Sequence, residues 1–308
     1  MARRVLVTGA TGFVGRQTLL PLKVEGVEIV ALTTKTPSDP VDGVTYIECD
    51  LTDLQVLQET VAQIAATDLM HLAWRPIRSG LWGTPENLRW LELTLKLVEA
   101  FADAGGKRVL ATGSSGDYSW EAGLCHETRT PLQPTTVYGQ VKVAVFHAVS
   151  AICETRGIEF VWPRLFFLYG PGEHPSRLAA SVAISVLRNE PAMCSHGMQL
   201  RDYMHVADAG RGLASLMTSD LTGPFNLATG EAVRVKDVIL GIAEAAGRVD
   251  LVKLGARDAP AFEPPLIVAD MSKLNDTNLA WAPRFDLASG TRDTLEWYRA
   301  QSVTLYDP

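Results

Sequence analysis

The sequence predicts an α/β fold: a doubly wound parallel sheet followed by a smaller C-terminal lobe. Two observations lead there. A short apolar run at Val5, Leu6 and Val7 reads as a buried strand, ends in glycines at 9, 12 and 15, and passes into a helical pattern carried by Phe13, Leu19, Leu20 and Leu22. Strand-like and helix-like stretches then alternate, the pattern of a parallel sheet with helices on both faces. The 308 residues suffice for one large core and a second, smaller one.

The opening strand, turn and helix form the setting in which a glycine triplet binds a dinucleotide, as in Rossmann-type folds. Gly9 serves the tight turn, Gly12 lets the backbone approach a pyrophosphate, and Gly15 lets helix and strand pack closely. Free N–H groups at the helix start face the phosphates. Gly9, Thr11, Gly12, Phe13, Val14 and Gly15 are the expected cradle. Residues 27–32 read as the second strand. A fold that takes NAD usually ends this strand in an Asp or Glu, which holds the ribose hydroxyls. Thr33, Thr34 and Lys35 stand there instead. With no acid at that turn to repel a 2′-phosphate, and with Lys35 and Arg16 as candidate cations, NADP is the expected cofactor and NAD the alternative.

Residues 44–51 read as a third strand running into Asp50 and Leu51, placed to meet an adenine edge. The same stretch also reads as a helix start, since Thr52 and Asp53 are good capping residues. Residues 68–73 form another short apolar strand, whose end brings Leu72 and Ala73 to the cofactor. The loop 74–83, rich in Trp, Arg and Gly, is expected to cover a ligand. Leu88, Leu91, Leu95 and Val98 keep helical spacing, and residues 107–112 make the fifth strand.

Composition narrows the function. A formal net charge of -7 argues against a nucleic-acid partner. No run approaches about 18 apolar residues, so no membrane span is expected. No secretory signal is legible at the N-terminus, and a cytoplasmic location is expected. Cys49, Cys125, Cys153 and Cys194 are scattered without a CxxC pair, and the histidines are dispersed. Neither a disulfide framework nor a metal site is expected.

The chemistry gathers at the fifth strand's end. Gly113, Ser114, Ser115, Gly116, Asp117 and Tyr118 follow it, at the sheet edge where such folds bind ligands. A long helix then opens near Thr135 and runs toward Thr155, with Tyr138 and Lys142 four apart on one face. A tyrosine ordinarily ionises near pH 10, and a neighbouring Lys⁺ lowers that value. Tyr138 is the expected general acid/base, with a serine hydroxyl polarising the reacting oxygen.

These motifs, Thr8-Gly9-xx-Gly12-xx-Gly15, Asp50-Leu51, Ser114 and Tyr138-xxx-Lys142, resemble the extended short-chain dehydrogenase/reductases. This is the NAD-dependent epimerase/dehydratase group, which acts mostly on nucleotide sugars. The likeness spans nearly the whole chain. It implies Ser114 (with Ser115 as fallback), Tyr138 and Lys142 as catalytic residues, Lys142 also holding the cofactor. Residues 164–172 look like the family's entry into the substrate domain. Gln199 to Asp208 resembles its Arg-Asp-Tyr-x-His-Val-x-Asp stretch, so Arg201 is the implied diphosphate ligand, with Arg177 and Arg257 weaker candidates. Residues 224–230, 270–273 and 296–298 also fit.

Departures refine the expectation. Ser115 and Gly116 stand where the family's dehydratases carry acids, which disfavours 4,6-dehydration. Phe167 replaces an Asn that often touches substrate, and Trp90 replaces another at the helix before the serine strand. The resemblance implies a reductase of a 4-keto (deoxy)sugar nucleotide. A 4-epimerase with tightly bound NAD is the alternative, and a non-catalytic dinucleotide sensor a more distant one. Residues 1–168 are expected to bind the cofactor, with 205–219 returning to them. Residues 169–308 are expected to build mostly a substrate lobe. Pairing of the helices near 87–101 and 135–155 across a dimer, as in relatives, implies a homodimer.

Overall fold

The computed structural model describes residues 3–74, 81–259 and 263–301, so part of the loop expected to cover a ligand, 75–80, lies outside them. The main sheet holds strands β1 (Arg4–Thr8), β2 (Glu28–Thr33), β3 (Val44–Glu48), β4 (Asp68–His71), β5 (Arg108–Ala111), β6 (Glu159–Leu165) and β7 (Gly223–Leu227). Their order is β7-β6-β5-β4-β1-β2-β3, all parallel, and the pair Gly113–Ser114 adds to β6 where β5 stops. The order reverses between β1 and β4, which opens a crevice at their carboxyl ends.

Alternation along the strands decides which helix covers which face. Val5, Val7, Ile29 and Met70 pack under α1 (Gly15–Val24) and α6 (Val206–Thr218). Leu6, Val30, Leu69 and Val109 pack under α2 (Leu54–Ile64), α3 (Glu86–Asp103) and α4 (Val137–Arg156). Both faces being covered explains why these strands read as near-continuous apolar runs.

A second core gathers α5 (Leu178–Leu187), α7 (Val235–Ala245) and α8 (Leu287–Gln301) around Val182, Ile239 and Leu295. Short strands link it to the sheet: Leu200–Arg201 pairs with Leu266–Ala269, which pairs in turn with Leu124–Cys125. Residues 223–227 differ from the sequence reading, which left them in the C-terminal lobe. They close the main sheet beside β6, at an edge that tolerates Pro224.

Several family-like motifs turn out to be fasteners. Buried Asp202 accepts from Thr229 N (2.9 Å), Thr229 Oγ1 (2.7 Å), Gly230 N (2.8 Å) and Ala269 N (3.2 Å). Asn226 accepts from the Tyr118 hydroxyl (2.6 Å) and donates to the carbonyls of Cys125 and Asp270. Each such bond satisfies a buried polar group between the sheet and the lobe strands.

Candidate active site

The glycine turn, the ends of β4 and the lobe enclose a cavity of about 610 Å³. Gly9, Thr11, Gly12, Phe13, Val14, Gly15, Leu72 and Ala73 all line it, joined by Arg16 and Trp74. Gly172 to Pro175, Trp297 and Tyr298 form the opposite wall. The glycines differ in what they permit. A β-carbon on Gly15 would stand 2.1 Å from the Gly9 carbonyl oxygen, so only glycine lets α1 start there. On Gly12 it would meet one atom, the Gly9 carbonyl oxygen at 3.2 Å, a tight contact but far less crowded than at Gly15. A glycine turn beside a helix start suits a pyrophosphate.

At the end of β2 the hydroxyl of Thr33 is buried without a hydrogen-bond partner among the described residues. A buried unpaired hydroxyl there fits a ribose contact. Lys35 is exposed, and the structure sets an acid beside it. Glu48, at the end of β3, accepts Thr36 N (2.9 Å), and that bond, with Lys35's charge adding to it, holds its carboxyl below the usual range. The reading that no carboxylate stands at this turn is therefore corrected: β3 supplies one. Arg16 donates to Thr11 O (3.1 Å) and faces Gly172 across the cavity. Asp50 accepts Thr52 N (2.9 Å), while Asp53 caps α2 through Val56 N (3.2 Å). Leu51 packs on the core under α2.

The serine loop is held from below. Asp117 is buried and accepts from Ser114 N (3.2 Å), Trp162 Nε1 (2.9 Å) and Arg164 Nε (3.0 Å). Burial pushes its carboxyl up, and Arg164 opposes that. Breaking such a buried pair costs about 3–5 kcal/mol. The Ser114 oxygen accepts Gly116 N (3.0 Å), which leaves the hydroxyl hydrogen to donate elsewhere. Ser115 is buried, and its carbonyl takes Trp120 Nε1 (2.8 Å).

Helix α4 begins where Thr136 accepts Gly139 N (3.1 Å), placing Tyr138 in the first turn and Lys142 one turn on. A β-carbon on Gly139 would stand 2.2 Å from the Gly116 carbonyl oxygen, so glycine lets the helix start meet the serine loop. Tyr138 and Ser114 come together at Gly116, where a β-carbon would stand 3.3 Å from the tyrosine ring and 3.4 Å from the serine oxygen. Burial raises the phenol above its ordinary value, and the neighbouring Ser114 hydroxyl opposes this. The expected lowering by Lys142 is not what the chain itself produces. The ammonium sits 5.9 Å from the Tyr138 ring centre and 3.6 Å from that of Trp74. It donates to Thr112 O (3.0 Å), and burial brings its pKa down to about 7. Thr112 lies opposite Pro163, which has no N–H for the ladder, in the gap between Ala111 and Gly113.

Tryptophans close the site. Trp82 lies edge-to-face on Tyr138 (5.5 Å between centres) and on Trp120 (5.4 Å), and its carbonyl accepts Tyr138 N (3.1 Å). Trp74 and Trp90 stack at 5.8 Å.

The expected anion-binding side chains are less available. Arg201 is 2% exposed, pairs with Glu263 at 3.2 Å and donates to Leu200 O (2.7 Å). Its guanidinium also lies over Phe167 (5.4 Å), which packs on Tyr203 (5.7 Å). Arg177 is exposed, 4.0 Å from Glu173, and its charge reaches the phenols of Tyr138 and Tyr203. Arg257 sits beside Cys194, whose carbonyl accepts its backbone N–H (3.1 Å). None of the contacts described for Arg257 joins it to Ser114, Tyr138 or Arg201. Sequence reasoning did not single out Asp117, Glu48 or Glu263, and reached Trp74 only as the start of the Trp-rich loop 74–83. A Ser-x-x-Asp capping pattern marks Asp117 in the sequence; Glu48 and Glu263 carry no local signal.

A model of the NAD dependent epimerase/dehydratase family matches residues 5–228. The chain belongs to that family. Its relatives in the family include the dTDP-6-deoxy-L-talose 4-dehydrogenase (NAD(P)(+)) of Kitasatospora kifunensis, 27% identical across 97% of this chain and 96% of that protein. The UDP-glucose 4-epimerase of Thermus thermophilus, solved in complex with NAD, superposes with a TM-score of 0.85 at 25% identity, covering 96% of this chain and 99% of that one. MoeE5, solved with UDP-glucuronic acid and NAD, superposes with a TM-score of 0.83 at 29% identity, covering 97% and 99%. Family membership makes the chain an enzyme of the short-chain dehydrogenase/reductase type. Among the described residues no helix is long and apolar enough to cross a membrane, and no cluster of potential metal ligands forms.

Proposed function

We propose that this enzyme interconverts a carbinol and a ketone at C4 of a nucleotide-linked deoxysugar, in the direction of reduction. The observation that carries the reading is the meeting of Ser114 and Tyr138 at Gly116, beside a wall, Trp74, of the glycine-turn cavity. The Kitasatospora relative's reaction supports the sugar position, and Ser115 and Gly116 offer no acid for dehydration.

The cavity residues suit a nicotinamide dinucleotide, Gly12 and the α1 start taking the phosphates and Thr33 the ribose. When bound, its nicotinamide supplies the hydride. Ser114 donates a hydrogen bond to the substrate carbonyl oxygen, which polarises it. Tyr138 gives its proton to the oxygen as the C–O bond becomes an alcohol. Lys142, fixed by Thr112, keeps positive charge one helical turn away. Lys35 favours NADP at the ribose and Glu48 opposes it, so both cofactors belong in the assay.

Replacing Tyr138 by Phe removes the proton donor and keeps the ring. Turnover of a 4-keto sugar nucleotide with NADPH or NADH is expected to fall about 10²–10⁴-fold. Cofactor affinity is expected to stay within about threefold. Retained turnover in Tyr138→Phe overturns the acid–base assignment. Purified protein that holds oxidised cofactor and interconverts 4-epimers without consuming reductant overturns the reductase direction in favour of epimerisation.

A further inference from the structure

Lys142 is 5% exposed, yet no carboxylate touches its ammonium among the described residues. Its direct partners are the Thr112 carbonyl (3.0 Å) and the face of Trp74 (3.6 Å to the ring centre). Asp117 acts on it through space, being engaged by Ser114 N, Trp162 and Arg164. On the β4 side stands His71, held between Thr8 Oγ1 (2.7 Å) and Thr94 Oγ1 (3.0 Å) and kept neutral by burial at a pKa of about 3. On its own helix stands the Tyr138 phenol. An ammonium in this setting depends on an aromatic face, because the negative quadrupole of an indole attracts a desolvated cation strongly.

Trp74 is built for that position. Its Nε1 donates to Asn87 Oδ1 (3.1 Å), and the Asn87 amide is fixed in turn by the carbonyls of Leu81 (2.7 Å) and Thr84 (3.1 Å). Trp90 stacks on the indole, and the Tyr138 ring meets it edge-to-face at 5.9 Å. The same side chain lines the glycine-turn cavity. It is therefore a shared wall between that cavity and the acid–base pair.

We propose that Trp74 is a positioning residue, whose indole face, anchored by Asn87, keeps Lys142 protonated and in place beside Tyr138. This rests on the acid–base reading of Tyr138 and Lys142. It adds an uncharged ring, in direct contact, to the through-space pull of Asp117 among the groups that set the protonation state at the reacting centre. Burial already brings the Lys142 ammonium near neutrality, so a modest loss of aromatic attraction moves its titration through the working range.

The sign follows from the chemistry. Trp74→Leu keeps an apolar wall and removes the quadrupole, so Lys142 releases its proton at lower pH. The expected shift is a fall of about half a pH unit or more. Trp74→Phe retains a weaker face and falls between wild type and Leu. Two measurements read it. One is NMR titration of the ¹⁵N-labelled lysine ammonium in the cofactor-free protein, assigned with Lys142→Met. The other is the alkaline limb of the kcat/KM profile. Both are expected to move down together in the order wild type, Phe, Leu. A Lys142 titration that stays put or moves up in Trp74→Leu overturns the proposal, as does a Phe variant no closer to wild type than Leu. Tyr138→Phe, run in parallel, separates the two readings. If it retains turnover, the acid–base reading fails. If it is inactive while the Lys142 titration ignores Trp74, only the role of Trp74 fails.

Discussion

The two walls of the active-site region are made on different principles. On the β1 side the cradle is backbone: a turn and a helix start brought together by glycine, with only the Gly9 carbonyl oxygen close to a β-carbon at Gly12. On the lobe side the expected receptors are guanidinium groups already engaged by the protein. Arg201 is held by Glu263, and Arg177 stands 4.0 Å from Glu173. A backbone cradle is ready for an anion as folded. A guanidinium in an internal ion pair must give up a partner before it takes a phosphate. The first half therefore reads as a standing cofactor site, and the second as one whose charges are set against each other.

The largest test of this contrast sets Gly15 against Gly12, neighbours in one turn with opposite surroundings. Gly15→Ala drives a methyl into the backbone of Gly9 and Ala10, at 2.1 and 2.8 Å, and backbone cannot step aside. Overpacking of this kind costs roughly 1–3 kcal/mol or more. A clear drop in the thermal midpoint is expected, with loss of dinucleotide binding. Gly12→Ala meets only one atom, at 3.2 Å, so its midpoint is expected to fall less than that of Gly15→Ala. Its affinity for NADH is nevertheless expected to weaken at least about tenfold, because the methyl occupies the phosphate approach. Calorimetry of both variants, with and without NADH, checks the pair. Unchanged affinity in Gly12→Ala would remove the phosphates from that face.

The contrast also explains what the sequence disclosed. Steric demands of backbone leave residue-type signatures at fixed spacing, so Gly9, Gly12 and Gly15 were legible, and so was the shared helix face of Tyr138 and Lys142. The alternating strands and helices revealed the sheet for the same reason. The partners of charged side chains leave no such mark. Glu48 meets the turn at Lys35 only because β3 lies beside β2. Glu263, distant in sequence, meets Arg201 because the segment before Leu266–Ala269 runs beside Leu200–Arg201. The expected lowering of the Tyr138 pKa failed likewise. Helical spacing put Lys142 on the right face, but the fold added Trp74 and Thr112 and drew the ammonium toward them.

Loosening the lobe side is expected to have a smaller effect. Glu263→Gln keeps an acceptor for the guanidinium and for Gln199, which now donates to Glu263 Oε2 (3.0 Å), but removes the negative charge. A partly exposed pair of this kind is worth about 1 kcal/mol. If Arg201 is the diphosphate ligand, UDP or dTDP should bind roughly fivefold more tightly to the variant at low salt, with the gain shrinking as salt rises. Isothermal titration calorimetry reads it directly. Equal or weaker binding would mean that Arg201 serves the fold and that the diphosphate is held elsewhere.

The last contrast lies where the walls meet. Glu173 faces the glycine turn across the cavity, is 6% exposed, and accepts Ala180 N (3.1 Å). Burial raises its pKa from 4.5 to about 7. The folded protein therefore binds a proton more tightly than the unfolded chain does. Between about pH 4.5 and pH 7 the native state carries more protons, so stability falls as pH rises through that window. Glu173→Gln cannot ionise and escapes this loss. Its advantage in unfolding free energy over wild type should be absent near pH 4 and grow to its full size above pH 7, roughly 1–3 kcal/mol. The same titration reaches the cofactor wall. A neutral Glu173 leaves the phosphate face unopposed, while an ionised one repels it across the cavity. Dinucleotide affinity of the wild type should therefore decline from about pH 6 to about pH 8 more than that of Glu173→Gln. Parallel pH slopes for the two proteins would show that the lobe's charge does not reach the backbone cradle.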